Sequence, residues 1–147
     1  VNFGGKMMLT FSELKSVKEI RAKIDFETRR LESLKSCAMT TTRLDGLPHS
    51  KPQMSVPEKL AIEIAESEAK IEKLVEEMTV RAVELTNKIY EPVANVTIAE
   101  VLTLRYVAGL KVEEIARRLN FTRDYVWKLH NRGLRILGLS DALPKTP

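Results

Sequence analysis

Two stretches of about thirty residues, each stepping its apolar positions by three and four, constrain this chain more than anything else in it. From Leu9 to about Ala38 the series Val17, Ile20, Ile24, Leu31, Leu34 and Ala38 makes a heptad seam, with Glu27 standing in one slot. From Glu58 to Tyr90, Leu60, Ile64, Ile71, Leu74, Met78, Leu85 and Ile89 make a second stripe, flanked by Val75 and Ala82. At about 1.5 Å per residue each segment is a helix of about 45 Å. A stripe that long cannot stay in water, so it must be covered. Residues 40–57, rich in Thr, Ser and Pro and containing Asp45-Gly46, read as the loop between the two arms. Residues 9–38 hold seven basic and five acidic side chains, and residues 58–90 hold five and eight. Opposite biases favour the arms packing on each other or on those of a second chain. The expectation is an antiparallel hairpin whose leftover apolar edge builds a homodimer. Val17, Ile20, Ile24, Leu31, Leu34, Ile64, Ile71, Leu74, Met78 and Leu85 are its candidate contact residues. A closed monomeric hairpin is the alternative.

Composition narrows the class. Six Gly and six Pro in 147 residues are few, and aromatics are 5% of the chain, which argues against a strand-rich core. The expected fold is all-α. One cysteine, Cys37, cannot form an internal disulfide and suits a reducing cytoplasm. No apolar run approaches the roughly 20 residues of a membrane span. The net charge is +4, and its distribution is uneven: residues 92–147 carry nine basic and five acidic side chains, while the rest is balanced. A short basic segment is one that can be offered to a polyanion.

That segment has its own punctuation. Glu91-Pro92 ends the second arm, residues 92–96 form a hinge, and Thr97 with Glu100 reads as a capping box opening a helix at Ile98. This helix carries Val101, Leu102, Leu104 and Tyr106 and should stop at Gly109. Val112, Ile115, Ala116 and Leu119 then give a second helix one apolar face. Asn120 can take the left-handed conformation that ends it, Phe121 is an apolar plug, and Thr122 is an N-cap for a third helix. The third helix buries Val126, Leu129, Gly133 and Leu137 by the same spacing. Two such helices about a tight turn make a helix-turn-helix. With Val126 inward, Asp124, Lys128, Asn131 and Arg135 point outward, with Arg123 and Trp127 on one flank. Base edges are read from the start of such a helix. Arg123, Asp124, Trp127 and Lys128 are therefore the candidate base-reading residues. Arg117, Arg118, Thr122, Asn131, Arg132 and Arg135 are candidates for holding phosphates.

The run "VLTLRYVAGLKVEEIARRLNFTRDYVWKLHNRGLRIL" (101–137) resembles region 4 of the sigma-70 family, the helix-turn-helix that reads the promoter −35 element. The resemblance lies in "LRY" with Gly109, in "EEIARRL", in Thr122-Arg123-Asp124 and in "RGLRIL". It implies DNA reading by Arg123, Asp124 and Lys128 and a backbone contact by Arg132. Family members usually have a polar residue where Trp127 stands; here it either meets a thymine methyl or packs on Leu134 and the neighbouring arm. The paired arms, the Ser/Thr/Pro loop and "KLHNRGL" also resemble small sigma-region-4-like regulators of Gram-positive phages and prophages. That likeness implies a bacterial cytoplasmic setting.

No segment resembles the one that melts the −10 element, so duplex binding without strand opening is expected. The sequence divides into residues 1–8, 9–91 (arms, with the loop at 40–57), 92–139 (head) and a tail at 140–147. Gly4-Gly5-Lys6 before Met7-Met8 looks like a translated ribosome-binding site, so residues 1–6 are expected to be non-native or disordered; N-terminal sequencing of the native product tests this. The leading expectation is a sequence-specific regulator of transcription that binds double-stranded DNA as a homodimer. Alternatives are a DNA-packaging initiation subunit and an adaptor contacting RNA polymerase. His49 and His130 lack ligating partners at useful spacing, so no metal or other cofactor is expected. No phosphate-binding Gly-rich loop and no nucleophile with a base is present, so neither a small-molecule substrate nor catalysis is expected.

Overall fold

The computed structural model describes residues 9–42 and 55–139, all helix and short connections with no strand among them. The expectations for residues 1–8, for most of the loop with His49, and for the tail from 140 lie outside the described residues. Among the described residues five helices follow in order: α1 (Phe11–Thr42), α2 (Val56–Tyr90), α3 (Val96–Tyr106), α4 (Val112–Leu119) and α5 (Arg123–Ile136). The arms reach further than the sequence implied, since α1 runs to Thr42 and α2 begins at Val56.

The start of α1 is set by Thr10 and Glu13. Glu13 N–H donates to Thr10 Oγ1 at 3.1 Å and Thr10 N–H to Glu13 Oε1 at 3.4 Å, so two donors of the first turn are satisfied reciprocally. Ser55 opens α2 by accepting from Glu58 N–H at 3.2 Å.

The chain forms two compact units, one of residues 20–78 and one whose described part is 9–19 with 79–139. Pro92 follows the end of α2 at Tyr90 and lies inside the second unit. In the second unit, Leu14 and Val17 of α1 and Leu85 and Ile89 of α2 are buried, as are Val93 and the inner faces of α3, α4 and α5. Lys88 Nζ pairs there with Glu13 Oε2, and this contact holds the Glu13 carboxyl below the ordinary carboxylate range.

In the unit of residues 20–78 the two arm segments run antiparallel. Lys70 Nζ lies 2.8 Å from Glu27 Oε2, and Lys35 Nζ lies 3.5 Å from Glu68 Oε2. A pair of helices can close only the centre of its seam. Ile24, Leu31, Leu34, Ile64, Ile71, Leu74 and Met78 accordingly remain half-buried. Val17, Ile20 and Leu85, expected to join two chains, are instead buried within one and hold its own packing. Glu27, in its apolar slot, is only 2% exposed, facing Ser67 at 3.5 Å and Arg30 at 3.3 Å besides Lys70. Beside it opens a hollow of about 570 Å³ lined by Ala22, Phe26 and Leu74, with Phe26 60% exposed. No helix among the described residues is long and apolar enough to cross a membrane.

Candidate nucleic-acid interface

Helix α3 opens on Asn95, whose Oδ1 accepts from Ile98 N–H at 3.1 Å. The expected Thr97–Glu100 box is thus displaced by two residues, because an Asn with extended backbone reaches the third amide as well as a Thr does. Past its end, Gly109 takes a φ of 76°. Arg105 Nη1 donates to the Leu110 carbonyl at 3.3 Å, which ties α3 to the approach of α4.

The turn between α4 and α5 follows the sequence reading closely. Asn120 is left-handed, at φ 59° and ψ 42°. Phe121 N–H returns to the Ala116 carbonyl at 2.9 Å and Asn120 N–H to that of Arg117 at 3.4 Å, so the last carbonyls of α4 are satisfied. Thr122 Oγ1 accepts from Tyr125 N–H at 3.1 Å and starts α5. The Phe121 ring meets Tyr125 edge-on at 4.9 Å and plugs the turn.

Helix α5 buries Val126, Leu129, His130, Gly133 and Leu134. A methyl at Gly133 would lie 2.6 Å from Leu102 Cδ1 and 2.9 Å from Ile98 Cγ2, so glycine sets how closely α5 approaches α3. The opposite face exposes Arg123, Asp124, Lys128, Arg132 and Arg135, and Arg117 and Arg118 at the end of α4 are exposed too. This exposed set contains three of the four candidate base readers and four of the six phosphate candidates. Thr122, also exposed, spends an oxygen lone pair on its cap.

Asn131 and Trp127 do not join that face. Asn131 is half-buried, with Oδ1 3.0 Å from His130 Nδ1. Trp127 stands edge-on to the His130 ring at 5.2 Å, with the Arg105 guanidinium 5.9 Å from its ring centre. Its Nε1 is buried without a hydrogen-bond partner. A tryptophan turned toward Arg105 of α3 is poorly placed to read a base alongside Asp124 and Lys128.

The remaining partner of His130 is Tyr106, whose hydroxyl lies 2.6 Å from Nε2. With Asn131 Oδ1 able only to accept, Nδ1 carries a proton, and in the neutral imidazole Nε2 accepts from the Tyr106 hydroxyl. Burial, with the nearby Arg105 charge adding to it, pushes His130 below its ordinary value of 6.5 against the opposing effect of Asn131. Burial likewise raises Tyr106.

Glu113 and Glu114 divide their roles at the start of α4. Glu114 Oε1 accepts from Lys111 N–H at 2.9 Å and caps the helix. Glu113 Oε2 lies 2.9 Å from Arg123 Nε, across the turn. A hydrogen bond from its own backbone, together with the Arg123 charge, keeps Glu113 below the ordinary carboxylate range. The opposite charges at the two helix starts were visible in the sequence; the pairing was not. Among the described residues no group of His, Cys, Asp or Glu is arranged to hold a metal ion.

Residues 99–137, about a quarter of the chain, match the model of a family described as Sigma-70, region 4. A search of curated proteins and one of solved structures return no match to the chain.

Proposed function

From a helix-turn-helix that is sigma-70 region 4-like, we propose that this protein binds double-stranded DNA through the outer face of α5 and regulates transcription, with two copies joined through their arms. The observation carrying the proposal is the exposed row Arg123, Asp124 and Lys128 at the start of a helix whose opposite face is locked into the head. Arg and Lys can donate to guanine edges in the major groove and Asp can accept from cytosine. Arg117, Arg118, Arg132 and Arg135 flank that row as phosphate contacts that fix orientation. Trp127 is given a packing role. The half-buried seam residues and the hollow beside Phe26 supply the apolar surface for a second copy. One small head binds weakly, and two linked heads gain from effective concentration, so inverted half-sites about one helical turn apart fit the reading. It is a binding function, as expected of a regulator of phage type.

The test is selection of bound sequences from a random duplex pool across a salt series. Two spaced, inverted half-sites are expected. Binding without enrichment, lost steeply with salt, points to phosphate contacts alone and to packaging. No binding at any salt removes the DNA reading and leaves an adaptor for RNA polymerase.

A further inference from the structure

The Arg123 guanidinium, the first basic group of α5, is not free to sweep the face it stands on. Glu113 Oε2 sits 2.9 Å from its Nε, and the two side chains are 55% and 54% exposed. Nε is the inner nitrogen of the fork. A carboxylate there leaves the two terminal nitrogens directed away from it, and these are the pair that meets O6 and N7 of a guanine. The backbone that carries Glu113 is fixed, because it lies in the first turn of α4, whose start is capped by Glu114 and whose end is tied to the turn before α5 through Phe121. A long arginine side chain otherwise loses much rotamer freedom on binding.

We propose that Glu113 is a positioning residue that presets Arg123 for one guanine, and so sets specificity at one base pair without touching DNA. The inference rests on the DNA-reading function proposed above. It also has a sign that a simple charge effect lacks. Glu113 is an acid beside a polyanion site, so its removal should strengthen or spare binding to every duplex if charge were its only contribution. Presetting makes its removal cost selectivity at one position.

The experiment compares the full chain with Glu113→Gln, Glu113→Asp and Arg123→Ala, first by selection from a random duplex pool and then by titration of the selected duplex and its single-base variants. Glu113→Gln should lose about three- to five-fold in discrimination, the size an exposed ion pair allows, and only at the base pair that Arg123→Ala also loses. Binding to unrelated duplex should stay the same or tighten, and a variant combining Glu113→Gln with Arg123→Ala should match Arg123→Ala alone. Glu113→Asp should recover part of the discrimination, and thermal midpoints should agree. If the wild type enriches a site and Glu113→Gln keeps its full discrimination, or shifts all duplexes equally, the inference is overturned while DNA reading stands. If the wild type enriches nothing, both fall.

Discussion

His130 shows how a single side chain sets a condition on the fold. Its two nitrogens face Asn131 and Tyr106, and burial, with the Arg105 charge adding to it, outweighs the support Asn131 gives the protonated ring. Because its folded pKa is lowered, the unfolded chain takes up a proton that the folded chain resists. The stability it lends is full above 6.5 and is lost as the pH falls from there toward the lowered folded value. The thermal midpoint should decline between pH 7 and 5, before the carboxylates titrate, and His130→Gln should abolish that decline. A midpoint flat over this range refutes the neutral assignment. Gly133 makes a different demand. Alanine would improve helix propensity by about 1 kcal/mol, but its methyl would also meet Leu102 Cγ at 2.9 Å, a branch point that cannot swing aside. Overpacking costs about 1–3 kcal/mol, so Gly133→Ala should be net destabilising in denaturant titration, and Gly133→Val more so. The spacing of α5 placed Gly133 on the buried face but said nothing of its approach to α3. The Tyr106–His130 pair was equally illegible, since its members lie 24 residues apart and carry no mutual pattern.

Helices were the most readable level. Three-four stepping located the arms, and Asn120 and Thr122 located the turn, because caps and left-handed residues are written in two or three neighbouring positions. Where two candidates compete locally, sequence alone chose wrongly: Asn95, not Thr97, caps α3. Asn95→Ala should therefore cost about 1 kcal/mol and Thr97→Ala clearly less, compared by chemical denaturation. What the periodicity could not show was which parts of the seam close within one chain. Burial of Val17, Ile20 and Leu85 within the chain answers that. Glu27 is the exception inside the seam. Lys70 above all, then Arg30, hold its carboxyl below the ordinary range against the cost of burial. Replacing a buried, paired acid with a leucine is often neutral or stabilising, and polar seam residues can serve register instead. Glu27→Leu should leave the thermal midpoint unchanged or raised. A lower midpoint would mean that the ion pairs contribute net stability.

At the scale of the molecule, the basic excess in residues 92–147 and the apolar edge of residues 20–78 ask for different partners. The dimer reading makes a sharp demand on the second. Leu74→Lys, at a half-buried seam position beside the hollow, should give monomers by sedimentation while helical content is kept, and should weaken binding to a two-half-site duplex far more than to one half-site. A wild-type chain that sediments as a monomer at all concentrations would end that reading. The sequence suggested a dimer from leftover apolar surface; it could not reveal how much of that surface one chain consumes. The tryptophan gives the whole chain an unplanned optical property. There is one indole in 147 residues, and it stands edge-on to His130 at 5.2 Å. Protonated imidazole quenches indole emission, so the unlabelled protein, excited beyond the absorption of its three tyrosines, should dim as the head acidifies and so report the charge of one histidine.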